Sequence, residues 1–175
     1  PGAHQIENAG AALAALRHLT MGDAAFEAAV TGAFWPARMQ RLQTGPLTDA
    51  APHAEVWLDG GHNPAAGQAL ARHLASLPAR PTYLICGMLN TKDIAGYLTP
   101  LAAHATALTA LSIPGEANTL SAEATAEAAQ AVGLRAETGE TALQAVQRIA
   151  AQTPQARILI CGSLYLAGGI LRENG

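Results

Sequence analysis

The sequence predicts an α/β fold, in which a mostly parallel sheet carries helices on both faces and follows a short helical segment. From Glu55 onward, short apolar runs alternate with segments long enough for helices, which is the pattern of strand–helix–strand units. The runs are continuously apolar, as in strands that are buried on both faces. The predicted strands span 55–59, 82–87, 106–113, 134–137 and 157–161, and the predicted helices span 64–77, 93–104, 121–132, 140–151 and 163–172.

The part of the chain before Glu55 is predicted to be mainly helical. Residues 9–20 are rich in alanine and leucine at helical spacing. A second, shorter helix is predicted from Ala24 to Val30, with Gly32 as its stop. An aromatic and proline break and a loop rich in proline then lead into the main body.

Two later helices have recognisable ends. Ser121, with Glu123 in the first turn, is expected to open the third helix of the main body, and Gly133 to close it. Gly139 and Glu140 are expected to open the next helix.

Composition excludes several classes of protein. The chain has 175 residues, of which 50% are hydrophobic and 13% charged, with a net charge of −3, so it is globular and has no basic surface for nucleic acid. No apolar run approaches the ~20 residues of a membrane helix, and no leader is recognised, so we expect a cytoplasmic protein. Cys86 and Cys161 lie inside apolar runs and are expected to be buried free thiols.

The segment LDGGHNPAAG at 58–67 follows an apolar run and precedes a helix. Strand, glycine turn and helix in succession are how α/β proteins build ligand sites. Asn63 and Pro64 are also explained as a helix cap and a first-turn proline. Those local roles leave Asp59 and His62 unexplained. The segment is therefore interpreted either as a ligand site at the strand end or as a purely structural turn.

Two other predicted strands end in a glycine followed by polar residues, at Asn90 to Asp93 and at Ser163 to Tyr165. Carboxyl ends of parallel strands share one edge of a sheet, so these segments are expected to converge with Asp59 and His62. No complete catalytic apparatus accompanies them. The sequence lacks a phosphate-binding loop, a dinucleotide fingerprint, histidines at metal-ligand spacing and a nucleophile elbow.

Five segments, taken together and in order, resemble a known family. They are HQIENA at 4–9, WPARMQ at 35–40, LDGGHNP at 58–64, GMLNTKD at 87–93 and CGSLYLAGG at 161–169. In this order they resemble the second half of folylpolyglutamate synthase and of its bifunctional dihydrofolate synthase relatives, in the Mur ligase superfamily. The resemblance implies a Rossmann-like C-terminal domain over residues 34–175. It implies that residues 1–33 are the tail end of the central ATPase domain with linker helices.

The resemblance also implies an ATP-dependent amide ligation. ATP with Mg²⁺ phosphorylates the carboxylate of a folate or of dihydropteroate, and the amine of L-glutamate attacks the acyl phosphate. The phosphate loop and the metal ligands of the family lie in the N-terminal ATPase domain. The resemblance therefore implies that this chain works together with that ATPase domain and is inactive without it. It also implies that the whole enzyme is a cytoplasmic monomer.

Three positions correspond to nucleotide-binding residues of the family. The resemblance implies that Asn8 lies beside the adenine, that Arg38 reaches over the phosphates, and that Asp59 accepts hydrogen bonds from the ribose. A guanidinium suits phosphate oxygens because it donates two parallel hydrogen bonds. Arg38 is also compatible with an ordinary surface position.

Three further positions correspond to substrate-binding residues of the family, namely His62, Ser163 and Tyr165. The resemblance places them near the glutamate end of the folate or near the incoming amino acid. Ser163 is equally explained as a helix N-cap and Tyr165 as a packing residue with a polar tip. Lys92 and Asp93 match a Lys-Asp pair of the family, and a capping or salt-bridge role explains them equally well.

Two other functions compete with the ligase reading. A stand-alone module that binds a nucleotide or folate without catalysis would show affinity without a partner domain. An unrelated oxidoreductase would bind NAD or NADP, but the missing glycine fingerprint counts against it.

Overall fold

The computed structural model describes residues 3–175, with side chains for residue 6 and from residue 8 onward. The chain forms two compact units, one ending at Pro36 and the other running from Ala37 to Gly175.

The first unit consists of two helices, α1 (Ala3–His18) and α2 (Asp23–Thr31). The first helix begins at Ala3, earlier than the alanine-rich stretch at 9–20 predicted, and it ends at His18. Gly32 caps the second helix, as predicted. No described residue of α2 is buried. The unit exposes a set of large apolar side chains, which are Ile6, Leu19, Met21, Val30, Phe34 and Trp35.

The second unit is built on a six-stranded sheet. Its strands are β1 (Gln40–Arg41), β2 (Glu55–Leu58), β3 (Thr82–Cys86), β4 (Ala107–Ala110), β5 (Ala136–Thr138) and β6 (Arg157–Cys161), in the order β1-β2-β6-β3-β4-β5. The pairs from β2 to β5 are all parallel, and β1 pairs with β2 in the antiparallel direction. The predicted mostly parallel sheet is therefore confirmed.

Helices cover both faces of this sheet, as predicted. They are α3 (Pro46–Asp49), α4 (Pro64–Ser76), α5 (Ile94–Ala102), α6 (Ala122–Ala131), α7 (Ala142–Gln152) and α8 (Leu164–Asn174). Because side chains alternate across a strand, Ile158 and Ile160 of β6 join a core with α3, α7 and α8, whereas Leu159 and Cys161 join the opposite core with α4, α5 and α6. All five residues of β6 are buried.

Side-chain caps fix where the long helices begin. Asn63, Asp93, Ser121, Thr141 and Ser163 each accept a hydrogen bond from a backbone N–H in the first turn of the helix that follows. Ser121 and Gly133 bound α6 as predicted. The expectation that Gly139 and Glu140 open the next helix is wrong, because α7 begins at Ala142 with Thr141 as its cap.

Buried polar contacts join β2 to the central strand β6. Arg157 is buried, and its Nε donates to Oε2 of Glu55 at 3.2 Å while its Nη2 donates to the Pro78 carbonyl at 3.2 Å. Trp57 Nε1 also donates to Oε2 of Glu55. Burial raises the pKa of Glu55, but the hydrogen bonds from Trp57 and Arg157 and the charges of Arg80 and Arg157 outweigh it and lower the pKa below its usual 4.5.

We expect Glu55→Gln to lower the free energy of unfolding at neutral pH. The difference in unfolding free energy between the variant and the wild type is expected to shrink as the pH falls into the acid range. A carboxylate whose pKa is lowered by folding stabilises the protein above its unfolded pKa of about 4.5 and loses that contribution as pH falls through the lower, folded value. Urea titrations from pH 7 to pH 3 measure the gap. Glu137→Gln, at an exposed pair with Arg148, is the control and should show little gap. A Glu55→Gln gap that persists undiminished at pH 3 would contradict the expectation.

Candidate functional site

The carboxyl ends of β2, β6 and β3 lie side by side at one edge of the sheet. Leu58 of β2 is the register partner of Ile160 in β6, and Cys161 of β6 is the partner of Cys86 in β3. The helices α4, α5 and α8 begin at the segments that follow these three strands. This edge therefore collects the polar segments that the sequence predicted, together with the N–H-rich ends of three helices, where negative charge is favoured.

Asp59, the first residue after β2, is buried and holds two backbone amides. Its Oδ2 accepts from the Met39 N–H at 2.8 Å, and its Oδ1 accepts from the Gly61 N–H at 2.7 Å. One contact reaches the segment before β1 and the other stays within the glycine turn. A carboxylate that accepts from N–H groups in this way fixes both segments, because charge-assisted hydrogen bonds are stronger than neutral ones.

Arg38 is exposed, and its guanidinium lies beside the glycine turn. Its Nη1 donates to the Ala37 carbonyl at 3.0 Å. A β-carbon on Gly60 would lie 3.0 Å from the same Nη1 and would overlap the Leu164 side chain. The absence of a side chain at Gly60 thus lets the guanidinium and the first turn of α8 pack on the turn after β2.

His62 lies at the end of the same turn and is half-buried. Its Nδ1 is 3.0 Å from the Gly60 carbonyl, which can only accept, so Nδ1 carries the proton in this contact. In the neutral ring Nε2 is then a hydrogen-bond acceptor. Arg38, Asp59 and His62 are therefore brought together around Gly60, as one group on the strand edge.

Ser163 and Tyr165 lie at the start of α8, at the adjacent strand end. Ser163 is buried and its Oγ accepts from the Tyr165 N–H at 3.0 Å, which is the N-cap role that the sequence left open. Tyr165 is 60% exposed, so it is not packed into the core of this chain. Its ring is available at the same edge, beside the exposed Leu164, which the sequence analysis did not single out. Substrate contact by Ser163 and Tyr165 stays a prediction.

The segment after β3 reaches the edge on the far side of β6. Asp93 caps α5 through Oδ1, which accepts from the Gly96 N–H at 2.8 Å, in agreement with the capping alternative. A β-carbon on Gly96 would lie 2.8 Å from Pro64, so the first turns of α4 and α5 touch. Lys92 and Asn90 are exposed.

Asn8 lies in α1 of the first unit and its side chain is exposed. The side chains of His4, Gln5 and Glu7, which complete the HQIENA motif, lie outside the described residues. The adenine contact of Asn8 stays a prediction.

Two thiols and a phenol lie buried beneath the edge. Cys86 and Cys161 are free and buried, as predicted. The neighbouring Cys161 thiol and burial raise the pKa of the Cys86 thiol, which therefore stays protonated. Burial, the same two thiols and the charge of Asp59 raise the pKa of Tyr97, whose hydroxyl has no stronger hydrogen-bond partner than the Cys161 thiol.

We expect Tyr97→Phe to leave stability unchanged or to raise it by up to about 1 kcal/mol, because a buried hydroxyl whose partner is a weakly bonding thiol keeps most of its desolvation cost. The urea midpoint at constant slope measures the effect. The matched control is Tyr83→Phe, which removes a hydroxyl bonded to Thr153 Oγ1 at 3.0 Å and is expected to cost about 0.5–1.5 kcal/mol. A larger loss for Tyr97→Phe than for Tyr83→Phe would contradict the expectation.

Two grooves of the second unit lie away from this edge. One of about 650 Å³ is lined by residues from Arg41 to Ala54, and one of about 300 Å³ lies over β4 and β5 beside α7. Neither includes Arg38, Asp59 or His62. Among the described side chains, no group of three or more His, Cys, Asp or Glu is placed to hold a metal ion. In the described part of the chain, no helix combines the length and apolarity of a membrane span.

The chain is similar to proteins of known family and structure. Residues 37–164 match the family described as Mur ligase, glutamate ligase domain. Folylpolyglutamate synthase of Lacticaseibacillus casei is 30% identical over 136 residues, which cover 78% of this chain and 29% of that protein. Mycobacterium tuberculosis folylpolyglutamate synthase, solved with ADP and AMPPCP, is 29% identical with a TM-score of 0.79, over 98% of this chain and 40% of that one. E. coli FolC, solved with DHPP and ADP, is 26% identical with a TM-score of 0.76, over 94% of this chain and 38% of that one.

These matches cover most of this chain but less than half the length of each relative. The family match includes the strand edge, with Arg38, Asp59, His62 and Ser163 inside its bounds. The chain therefore belongs to the Mur ligase family, and residues 37–164 form the glutamate ligase domain of that family, as it occurs in folylpolyglutamate synthases.

Proposed function

We propose that this chain acts as the C-terminal part of an ATP-dependent ligase that adds L-glutamate to a folate, to dihydropteroate, or to both. The observation that carries the proposal is the match of residues 37–164 to a glutamate ligase domain, with Arg38, Asp59 and His62 grouped at its strand edge. Nucleotides in the solved relatives support ATP as the energy source.

The chemistry requires an activated carboxylate. The carboxylate of the acceptor attacks the γ-phosphorus of ATP and ADP leaves. The unprotonated amine of glutamate then attacks the carbonyl carbon of the acyl phosphate, phosphate leaves, and the nitrogen gives up a proton as the amide forms. Arg38, exposed and held over Gly60, is suited to donate to phosphate oxygens. Nε2 of His62 is suited to accept a hydrogen bond from the glutamate amine. Holding the reactants in register supplies much of the rate.

Other parts of the ligase are proposed to lie outside this chain. The resemblance supports the proposal that the ligands for Mg²⁺ lie in an upstream ATPase domain. The exposed apolar side chains of the first unit are suited to pack on such a domain, of which residues 1–33 would be the last part. The two free thiols fit a reducing compartment, and we propose a monomer in the cytosol.

The test uses the native polypeptide, whose intact mass is measured first in its source cell. A mass well above that of these 175 residues is expected. The purified protein is then incubated with ATP, L-glutamate and either tetrahydrofolate or dihydropteroate, and the products are weighed. Addition of one glutamate with release of one ADP per amide is expected, and no ADP release without an acceptor.

The 175-residue chain provides the comparison. It is expected neither to hydrolyse ATP nor to add glutamate. Tight binding of ATP or folate by this chain alone, with a native mass that matches it, would instead favour the stand-alone binding module. Glutamate addition by this chain alone would contradict the proposed division between two domains.

A further inference from the structure

Leu164, the first residue of α8, is a leucine at the strand edge that is 47% exposed. Among the described residues of the second unit, the large apolar or aromatic side chains that are exposed belong to Leu143, Leu164 and Tyr165. Two of the three are therefore neighbours in the first turn of α8. A single exposed leucine is ordinary on a protein surface, so the surroundings of Leu164 decide whether it has a role.

The turn after β2 brings Leu164 next to the two side chains that are proposed to handle the reactants. A β-carbon on Gly60 would overlap Cδ2 of Leu164 and would lie 3.0 Å from Nη1 of Arg38. The leucine side chain and the guanidinium therefore lie against the same side of Gly60. The carbonyl of Gly60 is in turn 3.0 Å from Nδ1 of His62. Leu164 thus lies where a group suited to phosphate oxygens meets a group suited to an amine.

The residues before Leu164 hold its backbone at this place. Gly162 has φ +106°, which turns the chain as it leaves β6. Ser163 is buried, and its Oγ accepts from the Tyr165 N–H at 3.0 Å. The Ser163 carbonyl accepts from the Ala167 N–H at 3.0 Å, which closes the first turn of the helix. The side chain of Leu164 is therefore presented to the Gly60 turn by a fixed backbone.

The isobutyl group of leucine has no hydrogen-bonding atom, so it can bind neither phosphate nor amine. It can displace water. An acyl phosphate reacts with water as well as with amines: water attacks the carbonyl carbon, phosphate leaves, and a proton is lost as the acceptor carboxylate is regenerated. That side reaction releases ADP and phosphate without forming an amide. Active sites that form reactive intermediates suppress such hydrolysis by excluding water.

We propose that Leu164 selects the nucleophile, by keeping water away from the acyl phosphate so that the amine of glutamate attacks it instead. This rests on the proposed function, in which Arg38 contacts the phosphates and His62 the amine. The acyl phosphate is then formed between those two groups, and the apolar surface of Leu164 lies at their junction.

The number of ADP molecules released per amide formed, measured in the native polypeptide, tests the proposal. Leu164→Asn keeps the approximate size of the side chain but admits water, and it is expected to release about two or more ADP per amide. Leu164→Met keeps an apolar side chain of similar size and is expected to stay near about one, as in the wild type. Equal losses of ADP release and amide formation in Leu164→Asn, with the ratio unchanged, would indicate a merely structural role and would overturn the proposal.

The matched control is Leu143→Asn. Leu143 is also an exposed leucine in the first turn of a helix, but its helix α7 begins after β5, at the other end of the strand order. This variant is expected to keep the wild-type ratio. A ratio raised equally by Leu143→Asn would overturn the assignment to Leu164.

Reactions in water enriched in heavy oxygen identify the step that is lost. With ATP and acceptor but no glutamate, Leu164→Asn is expected to place heavy oxygen in the acceptor carboxylate at least about tenfold faster than the wild type. Extra ADP release that needs no acceptor would mean that ATP itself is hydrolysed, and it would overturn the proposal. A wild type that forms no amide would overturn the proposed function and this inference with it. Amide formation by the wild type, with an unchanged ratio in Leu164→Asn, would overturn this inference alone.

Discussion

Gly162→Ala is expected to lower the free energy of unfolding by about 3 kcal/mol or more, because two penalties coincide at this position. Gly162 has φ +106°, a conformation that L side chains rarely adopt. An added β-carbon would also lie 2.8 Å from Cys86 Sγ and 2.8 Å from the Gly87 carbonyl oxygen. The second neighbour is backbone of an adjacent strand end and cannot rotate away.

Gly133→Ala separates the two penalties. Gly133 has φ +87°, and an added β-carbon there would meet no atom within 4 Å. It is therefore expected to cost only the conformational part, about 1–2 kcal/mol. Urea unfolding of both variants measures the difference, and equal losses would mean that the contact with Cys86 and Gly87 contributes nothing.

Arg38→Ala in the native polypeptide is expected to lower kcat/KM for ATP by roughly 10²- to 10³-fold, the loss typical of removing one donor to a developing negative charge. The free energy of unfolding is expected to stay within about 0.5 kcal/mol, since the side chain is exposed. Steady-state kinetics with varied ATP, together with urea unfolding, measure both quantities.

Arg38→Lys and Arg72→Ala are the controls for this prediction. Lysine keeps the charge but not the paired donors, so an intermediate loss is expected. Arg72 is an exposed arginine within α4, and its loss should leave kcat/KM unchanged. A wild-type kcat/KM for Arg38→Ala would contradict the proposed contact of Arg38 with the nucleotide.

The strands and helices of the main sheet were predictable because each carries a strong local signal. The run Ile158 to Cys161 is continuously apolar, and its structure is a central strand buried throughout. Asn63 and Ser121 stand where helices begin, since their side chains satisfy free N–H groups. Strand β1 and helix α3 were not predicted, because two polar residues at an edge and a four-residue helix carry no periodicity to detect.

The candidate site was predictable as a place but not as a set of contacts. The glycine turn after β2 marks Asp59 and His62 as unusual for a simple turn. One partner of Asp59, however, is the Met39 amide, which lies twenty residues upstream and donates from a backbone group that every residue but proline has. The identity of residue 39 therefore gives no signal from which this contact could be predicted. Only the tertiary fold, which lays the segment before β1 along β2, brings the two together.

The sheet order has a consequence for how this protein is made. Strand β6 is the last strand in the chain, yet it lies between β2 and β3, with Arg157 paired to Glu55 on one side and to Thr82 on the other. The two parts of the sheet, β1-β2 and β3-β4-β5, pair with each other only through β6, so they cannot join while residues 157–161 are still inside the ribosome. The domain is therefore expected to stay open to chaperones and proteases throughout elongation and to fold only when β6 emerges, in one late step dominated by contacts distant in sequence.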